Sequence, residues 1–249
     1  MSTKLGKFGE FVKQYEKARK PYPPEVFAYL KKLSSANDPN ILDLGCGTGI
    51  STRQLAKVGR VIGCDPDPIM LRAAKNHKRI NKEKYVLGKA EKLPFKNQTF
   101  DVVTAFSAFH WFNNDKSIKE IRRVLKPGGI VFSVSKAAWK NWGEGYRRTI
   151  IKSIHQEIAS FVQDKFNPVK EFKKYKFSNI TAKEWNESEI ISSVNDGLVY
   201  VQSISIWKTV PKNLRPTALL GLREYFKDLK KRTGKIERKF KVKVVAGRK

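Results

Sequence analysis

The sequence predicts a doubly wound α/β protein, a mostly parallel sheet with helices on both faces, and three observations lead there. Short β-rich runs alternate with stretches of helical periodicity over the first 135 residues. One apolar run, ILDL at 41–44, passes directly into glycines at alternate positions, Gly45, Gly47 and Gly49, followed by a helical pattern. Finally, 249 residues with 40% hydrophobic content build one core of ordinary size, or two small ones at most. No repeat or low-complexity linker interrupts the chain, so a single domain carrying an insertion is expected.

Strands are predicted over 41–44, 61–64, 85–87, 101–106 and 130–134, where β-branched and aromatic residues cluster between turn signals. Helices fill the gaps at 51–58, closed by Gly59; at 69–78; and at 116–125, stopped by Lys126-Pro127-Gly128-Gly129. After Ser135 the alternation lapses. Residues 146–163, YRRTIIKSIHQEIASFVQ, are apolar at helical spacing and precede a basic stretch, EFKKYKF. An insertion over one end of the sheet, residues 136–171, is therefore expected, with the core resuming near Phe172 and closing over 172–249. The closing KIERKFKVKVVAGRK alternates apolar and basic residues, as a strand with one wet face does.

Charge is the unusual compositional feature. Lys and Arg number 51 against 23 Asp and Glu, a formal net charge of +28, which favours anionic partners. The excess is thickest after residue 207, where fifteen basic residues face Glu224, Asp228 and Glu237. A compositional bias toward Lys, Ile and Asn explains it equally, since solvated lysines need no ligand. Cys46 and Cys64 lack metal-ligand spacing and read as buried free thiols, so no metal is expected. No stretch reaches the roughly 18 apolar residues of a membrane span, and MSTKLGKFGE lacks a signal-peptide core, so a cytoplasmic protein without a membrane partner is expected.

A strand entering a glycine turn and then a helix leaves free backbone amides at the strand's carboxyl end, where open α/β sheets bind ligands. The spacing departs from the dinucleotide fingerprint G-x-G-x-x-G, whose sixth position is here Ile50. Twenty residues after Gly45 comes Asp65, in VIGCDPD, an acid placed to accept both hydroxyls of a ribose. It could instead cap the helix near Ile69, a task Asp67 can perform.

These elements, with LDLGCGTG at 42–49, GCDPDPIMLRAA at 63–74, GKAEKLPF at 88–95, FDVVTAFSAFHWF at 100–112 and EIRRVLKPGG at 120–129, resemble class I S-adenosylmethionine-dependent methyltransferases. More specifically the sequence resembles the branch that holds trans-aconitate methyltransferase and the ubiquinone/menaquinone-biosynthesis methyltransferases, with AFHWF pointing to the trans-aconitate side. YEKARKPYPPEV at 15–26 resembles that branch's lid segment, and the likeness is good over 15–135 and loose beyond. It implies a seven-stranded sheet, N-terminal lid helices over 1–40 and a cofactor-binding core over 41–135. S-adenosylmethionine would lie along the strand ends. Gly45, Gly47 and Gly49 would meet its amino-acid tail, with Asp43 and the Phe106 carbonyl near the ammonium. Asp65 would hold the ribose, Pro66 and Ile69 the adenine face, and Ala90 or Glu91 the adenine amine, because Lys89 stands where many relatives have Asp. Tyr15, Arg19 and Tyr22 would form a lid, with Trp111 lining the substrate pocket.

Methyl transfer from a sulfonium is an in-line displacement that asks mainly for alignment and exclusion of water. The resemblance implies a carboxylate acceptor on a small organic acid, already ionised near pH 7 and needing no base. For a phenol, enol or amine acceptor, His110 would be the base; packing is its alternative role, and His155 reads as a surface or core residue. The second reading is an RNA methyltransferase using the basic C-terminal surface, disfavoured by the lack of an RNA-binding module. A third is a catalytically silent cofactor-binding protein.

Overall fold

In the computed structural model, which describes residues 9–77, 83–138, 140–158 and 167–249, all seven strands join one sheet in the order β3-β2-β1-β4-β5-β7-β6. The strands are β1 (Asn40–Leu44), β2 (Arg60–Asp65), β3 (Glu83–Leu87), β4 (Phe100–Phe106), β5 (Leu125–Ala138), β6 (Ser178–Ile191) and β7 (Ile236–Arg248). The first five run parallel, and β7 lies antiparallel between β5 and β6. Strand order reverses between β1 and β4, opening the crevice in which such sheets take ligands.

The helices are α1 (Val12–Ala18), α2 (Pro24–Leu33), α3 (Ile50–Leu55), α4 (Pro68–Asn76), α5 (Asp115–Val124), α6 (Lys140–Ile154), α7 (Pro168–Lys174), α8 (Val194–Gln202) and α9 (Arg215–Thr233). Alternation along the strands decides which helices cover which face. Leu42, Leu44, Val103 and Val131 pack with Ile118, Ile121 and Val124 of α5 and Phe172 of α7. Ile41, Val61, Val102, Ile130 and Phe132 pack on the other face against Val26 and Leu30 of α2 and Leu55 of α3. Local chemistry starts the helices: Pro24, Pro68 and Pro168 sit in first turns, and Asp67, Asn114 and Asn167 accept hydrogen bonds from first-turn amides.

Beyond Ser135 the architecture differs from the expected insertion. β4 pairs with β5 only as far as Val134, while β5 continues to Ala138 against β7. Residues 136–138 therefore belong to the sheet, and β5, β7 and β6 overrun the carboxyl ends of the parallel strands. The helical insertion is also not one segment. α6 buries Tyr146, Ile150 and Ile154 against Leu198 and Val201 of α8 and Leu222 and Phe226 of α9, which lie between β6 and β7. An amphipathic helix needs a partner for its apolar stripe, and here the partner comes from 194–233, inside the span read from sequence as the closing part of the core. β6 has no counterpart among the predicted strands, because an edge strand exposed at many positions on both faces carries little apolar alternation. The Lys126-Pro127-Gly128-Gly129 stop runs directly into β5, with Gly128 at φ +71°. Residue 78 of the second predicted helix and residues 159–163 of the insertion helix lie outside the described residues. No helix among the described residues is long and apolar enough to cross a membrane.

Phe226 is fully buried at the centre of this second core, packed against Gly197. Phe226→Ala should cost about 3–5 kcal/mol of unfolding free energy through transfer and cavity terms, read by urea denaturation. An unchanged midpoint would mean that the helical layer contributes nothing to cooperative stability.

Candidate functional site

The glycine loop is built from inside the sheet. Asp43 on β1 is fully buried, and its carboxylate accepts hydrogen bonds from Ser51 Oγ (2.8 Å), Thr52 Oγ1 (2.7 Å) and Thr104 Oγ1 (2.9 Å). These bonds tie β1 to α3 and β4. Burial, opposed by those three donors, pushes its pKa up to about 6. Gly45, Gly47 and Gly49 all take positive φ, +72°, +55° and +76°, a region costly for other residues. A side chain at Gly45 would also lie 2.6 Å from Ala108 Cβ.

The loop amides are less free than expected. Gly45 N and Cys46 N donate to Cys64 O (2.8 and 3.2 Å), Gly49 N to Cys46 O (2.9 Å), and Gly47 N to Asp65 Oδ2 (2.9 Å). What remains toward the cavity is close backbone approach and Thr48 Oγ1, a buried hydroxyl with no partner among the described residues. Asp65, 8% exposed, also accepts from Asp67 N (2.9 Å), and burial raises its pKa against these two backbone bonds. Asp67, not Asp65, caps α4, and its second oxygen accepts from Gly9 N (2.9 Å), pinning the start of the lid segment.

A cavity of about 1230 Å³ collects most of the residues singled out from sequence. Gly45, Gly47, Asp65, Pro66, Ala90, Glu91 and Phe106 line it, as do Tyr15, Arg19, Tyr22, His110 and Trp111. Asp43 and Ile69 do not. Asp43 is consumed by its three hydroxyl donors, so it supports the loop from behind. Ile69, 49% exposed, packs toward Gly9, and its neighbour Met70 faces the cavity instead. Gly49 lies behind the loop, where Tyr85 occupies the space a side chain would need. Lys89 lines the cavity too, and Glu91 accepts from Asn114 Nδ2 at 3.1 Å. His155 is exposed just beyond α6, and Cys46 and Cys64 are buried free thiols. Among the described residues, no group of His, Cys, Asp and Glu is placed to hold a metal.

His110 sits in a short 3-10 turn, Phe109–Trp111, with its ring 4.7 Å from that of Trp111. Burial drops its pKa to about 4, so the imidazole is neutral at physiological pH. Ser107, with φ +51°, is held by Tyr22 Oη donating to its Oγ at 2.9 Å and by its own amide donating to Val134 O at 2.7 Å. The far wall went unnoticed in the sequence: Lys136, Tyr146, Tyr200 and Arg238. Only the period-2 pattern of KIERKFKVKVV placed Arg238 on the same strand face as Phe240 and Val242.

Residues 42–133 match the family model described as a methyltransferase domain. An uncharacterized methyltransferase of Mycobacterium tuberculosis is 38% identical over 126 residues, 49% of each chain, so this chain spans about half the length of the curated relatives it matches. A putative type II methyltransferase from Anaeromyxobacter dehalogenans shares the fold at TM-score 0.67 and 23% identity, covering 92% of this chain and 97% of its own. Phosphoethanolamine N-methyltransferase 2 of Haemonchus contortus, solved with phosphomonomethylethanolamine and S-adenosylhomocysteine, shares it at TM-score 0.54 and 18% identity, over 96% of this chain and 56% of its own. Residues 42–133 are thus similar in sequence to a methyltransferase domain, and the sheet with its helices has the fold of these solved methyltransferases.

Asp43 sets a pH dependence. Its folded pKa of about 6 exceeds the usual 3.8, so the folded state holds that proton more tightly than the unfolded chain. Its contribution to stability is then fully present below about pH 4 and is lost as pH rises through 6, on the order of 3 kcal/mol in all. Urea midpoints from pH 4 to 7 should show this falling component in the parent and not in Asp43→Asn. Parallel profiles would mean that Asp43 is ionised without penalty.

Proposed function

We propose that the protein transfers the methyl group of S-adenosylmethionine to a carboxylate oxygen of a small organic acid. The observation that carries this reading is one continuous cavity, lined at one side by the glycine loop and Asp65 on β2 and at the other by Arg19, Lys136 and Arg238. From β2 to β7 is four strand spacings, roughly 19 Å. The volume exceeds the roughly 300–1,000 Å³ of a one-ligand pocket, leaving room for donor and acceptor side by side.

The residues present suit the donor. Thr48 offers its unpartnered hydroxyl beside the glycine backbone, Asp65 keeps lone pairs beyond its two amide bonds, and Pro66 and Met70 supply apolar surface for the adenine. When bound, the cofactor supplies an electrophilic methyl carbon on a sulfonium. The chain's own residues then have to align the acceptor and keep water out. Phe106, Phe109 and Trp111 provide the dry wall, and the cations hold the acid. A carboxylate brings no proton to remove, so the low pKa of His110 fits a residue that shapes the pocket and takes no proton.

Asp65→Ala should weaken S-adenosylmethionine binding at least about tenfold by calorimetry while circular dichroism is unchanged. Unaltered affinity would refute the ribose placement. His110→Phe should lower kcat/KM by less than about tenfold, whereas loss of a general base costs roughly 10²–10⁴. The acceptor class is read by methyl-labelled S-adenosylmethionine offered to small acids and to total RNA at physiological salt. Label in a base-labile small fraction supports carboxyl transfer; label in RNA overturns it.

A further inference from the structure

We infer that the acceptor carries a second oxyanion, retained through the reaction, and that Arg19, Lys136 and Arg238 form its subsite on the overhanging wall of β5 and β7. The inference rests on the methyl-transfer reading for which group reacts, but the subsite stands on its own geometry. Lys136 pairs with Val242 and Arg238 pairs with Glu189, so strand alternation turns both cations to the face that holds Phe240 and Val242. Arg19 reaches the same place from the segment between α1 and α2. Its guanidinium and that of Arg238 both lie against the Tyr200 ring, 5.6 and 4.8 Å from the centroid, while Arg238 and Lys136 share Phe240 at 4.2 and 5.5 Å.

Several features mark this as a prepared anion site and not a solvated basic patch. Arg238 is 3% exposed, and its Nε is buried without a hydrogen-bond partner among the described residues, as is the Nε of Arg19. Buried donors are generally paired with acceptors, and although Thr48 Oγ1, Tyr85 Oη and Arg147 Nε are also unpartnered among the described residues, two orphaned guanidinium donors in one cavity wall point to an acceptor that arrives with a ligand. Each guanidinium is held by its other end, Arg238 Nη1 on Glu189 Oε1 (3.0 Å) and Arg19 Nη2 on Ser203 O (3.1 Å), so little ordering remains for binding. Lys136 Nζ donates to the carbonyls of Lys20 and Pro21 (3.0 and 3.3 Å). Among the described residues, Glu189 is the carboxylate in ion-pair contact with the cluster, while Glu144 engages Arg147 and Arg148 and Glu184 engages Lys241 and Lys243, so three cations keep a positive surplus.

The charges acting on Lys136 come from β7, β6 and the segment between α1 and α2. Burial, then Arg238, lowers its pKa to about 7, with Arg19 acting the same way and Glu189 and Glu187 of β6 opposing. An oxyanion seated among these groups would stabilise the protonated ammonium, so binding near pH 7 should draw in a proton.

The test is calorimetry on the full chain, with and without S-adenosylhomocysteine, using three probes of equal length: butyrate, succinate and 3-phosphonopropionate. At least one dianion should bind about tenfold or more tighter than butyrate and take up a proton, seen as a buffer-dependent heat. Which dianion wins tells a retained carboxylate from a phosphoryl group. Replacing Arg238 and Glu189 together by Met, so that no charge is stranded, should shrink the preference to roughly twofold. Lys136→Gln keeps the arginines and should abolish the proton uptake, which covers the case in which the double variant fails to fold. Butyrate binding as tightly as both dianions, or a preference that survives in both variants, would overturn the subsite. Loss of S-adenosylhomocysteine binding alone would sink the methyl-transfer reading, while the titrations without it still decide the subsite.

Discussion

A carboxylate with no access to water, Asp43, sets the geometry on which the site depends. Three hydroxyls from two elements converge on it, so β1, β4 and α3 cannot shift relative to one another without stranding a buried polar group. That rigidity lets the following loop adopt three left-handed glycines and spend most of its amides on β2. A loop held this way presents its backbone to a ligand at a fixed position, which favours binding by lowering the ordering cost. Burial raises the free energy of the ionised carboxylate, a local expense consistent with the strained backbone it secures.

The cavity divides its labour along the sheet. On the β2 side the surfaces are backbone, a carboxylate and small apolar groups, suited to a cofactor with hydroxyls and a flat ring. On the β7 side they are cations set among aromatic rings. The division follows from topology: β5, β7 and β6 outrun the parallel strands, and the overhang puts side chains in front of the crevice. The helical layer of α6, α8 and α9 then covers the overhang, adding Tyr146 and Tyr200 to the same wall. Aromatic faces hold guanidinium groups without neutralising them, which keeps their charge available.

Much of this was legible in the sequence, and the unread parts have physical causes. β1, β2, β4 and the paired part of β5 are largely buried on both faces, so each appears as a dense apolar run, and the turn after β1 needs glycine wherever φ is positive. Asp65 was visible because its distance from Gly45 is set by one strand-helix-strand unit. The role of Asp43 was not, since spacing cannot say that Ser51, Thr52 and Thr104 fold onto one carboxylate. Ile69 and Met70 were interchangeable on paper, because one helical step turns a side chain by about 100° and the start of α4 fixes the phase. β6 stayed hidden for the reason edge strands do: a strand wet at most positions does not separate its two faces by hydrophobicity. Arg238 lay within a run of lysines and was indistinguishable from them until pairing with Glu189 showed it buried.

That last point bears on the net charge of +28. Most of the chain's cations are solvated and screened within a Debye length of about 8–10 Å, so their number says little about any one ligand. A cation buried beside others is different, because the attraction it exerts is not diluted by water and its own desolvation has already been met by folding. The large surface charge can raise the encounter rate of any anion, small acid and RNA alike. Discrimination between anions has to come from the few buried groups, whose spacing fixes how many negative charges an acceptor must carry and how far apart. On the proposed subsite, anion preference would rest on Arg19, Lys136 and Arg238, and the basic surface would contribute a field without a preference.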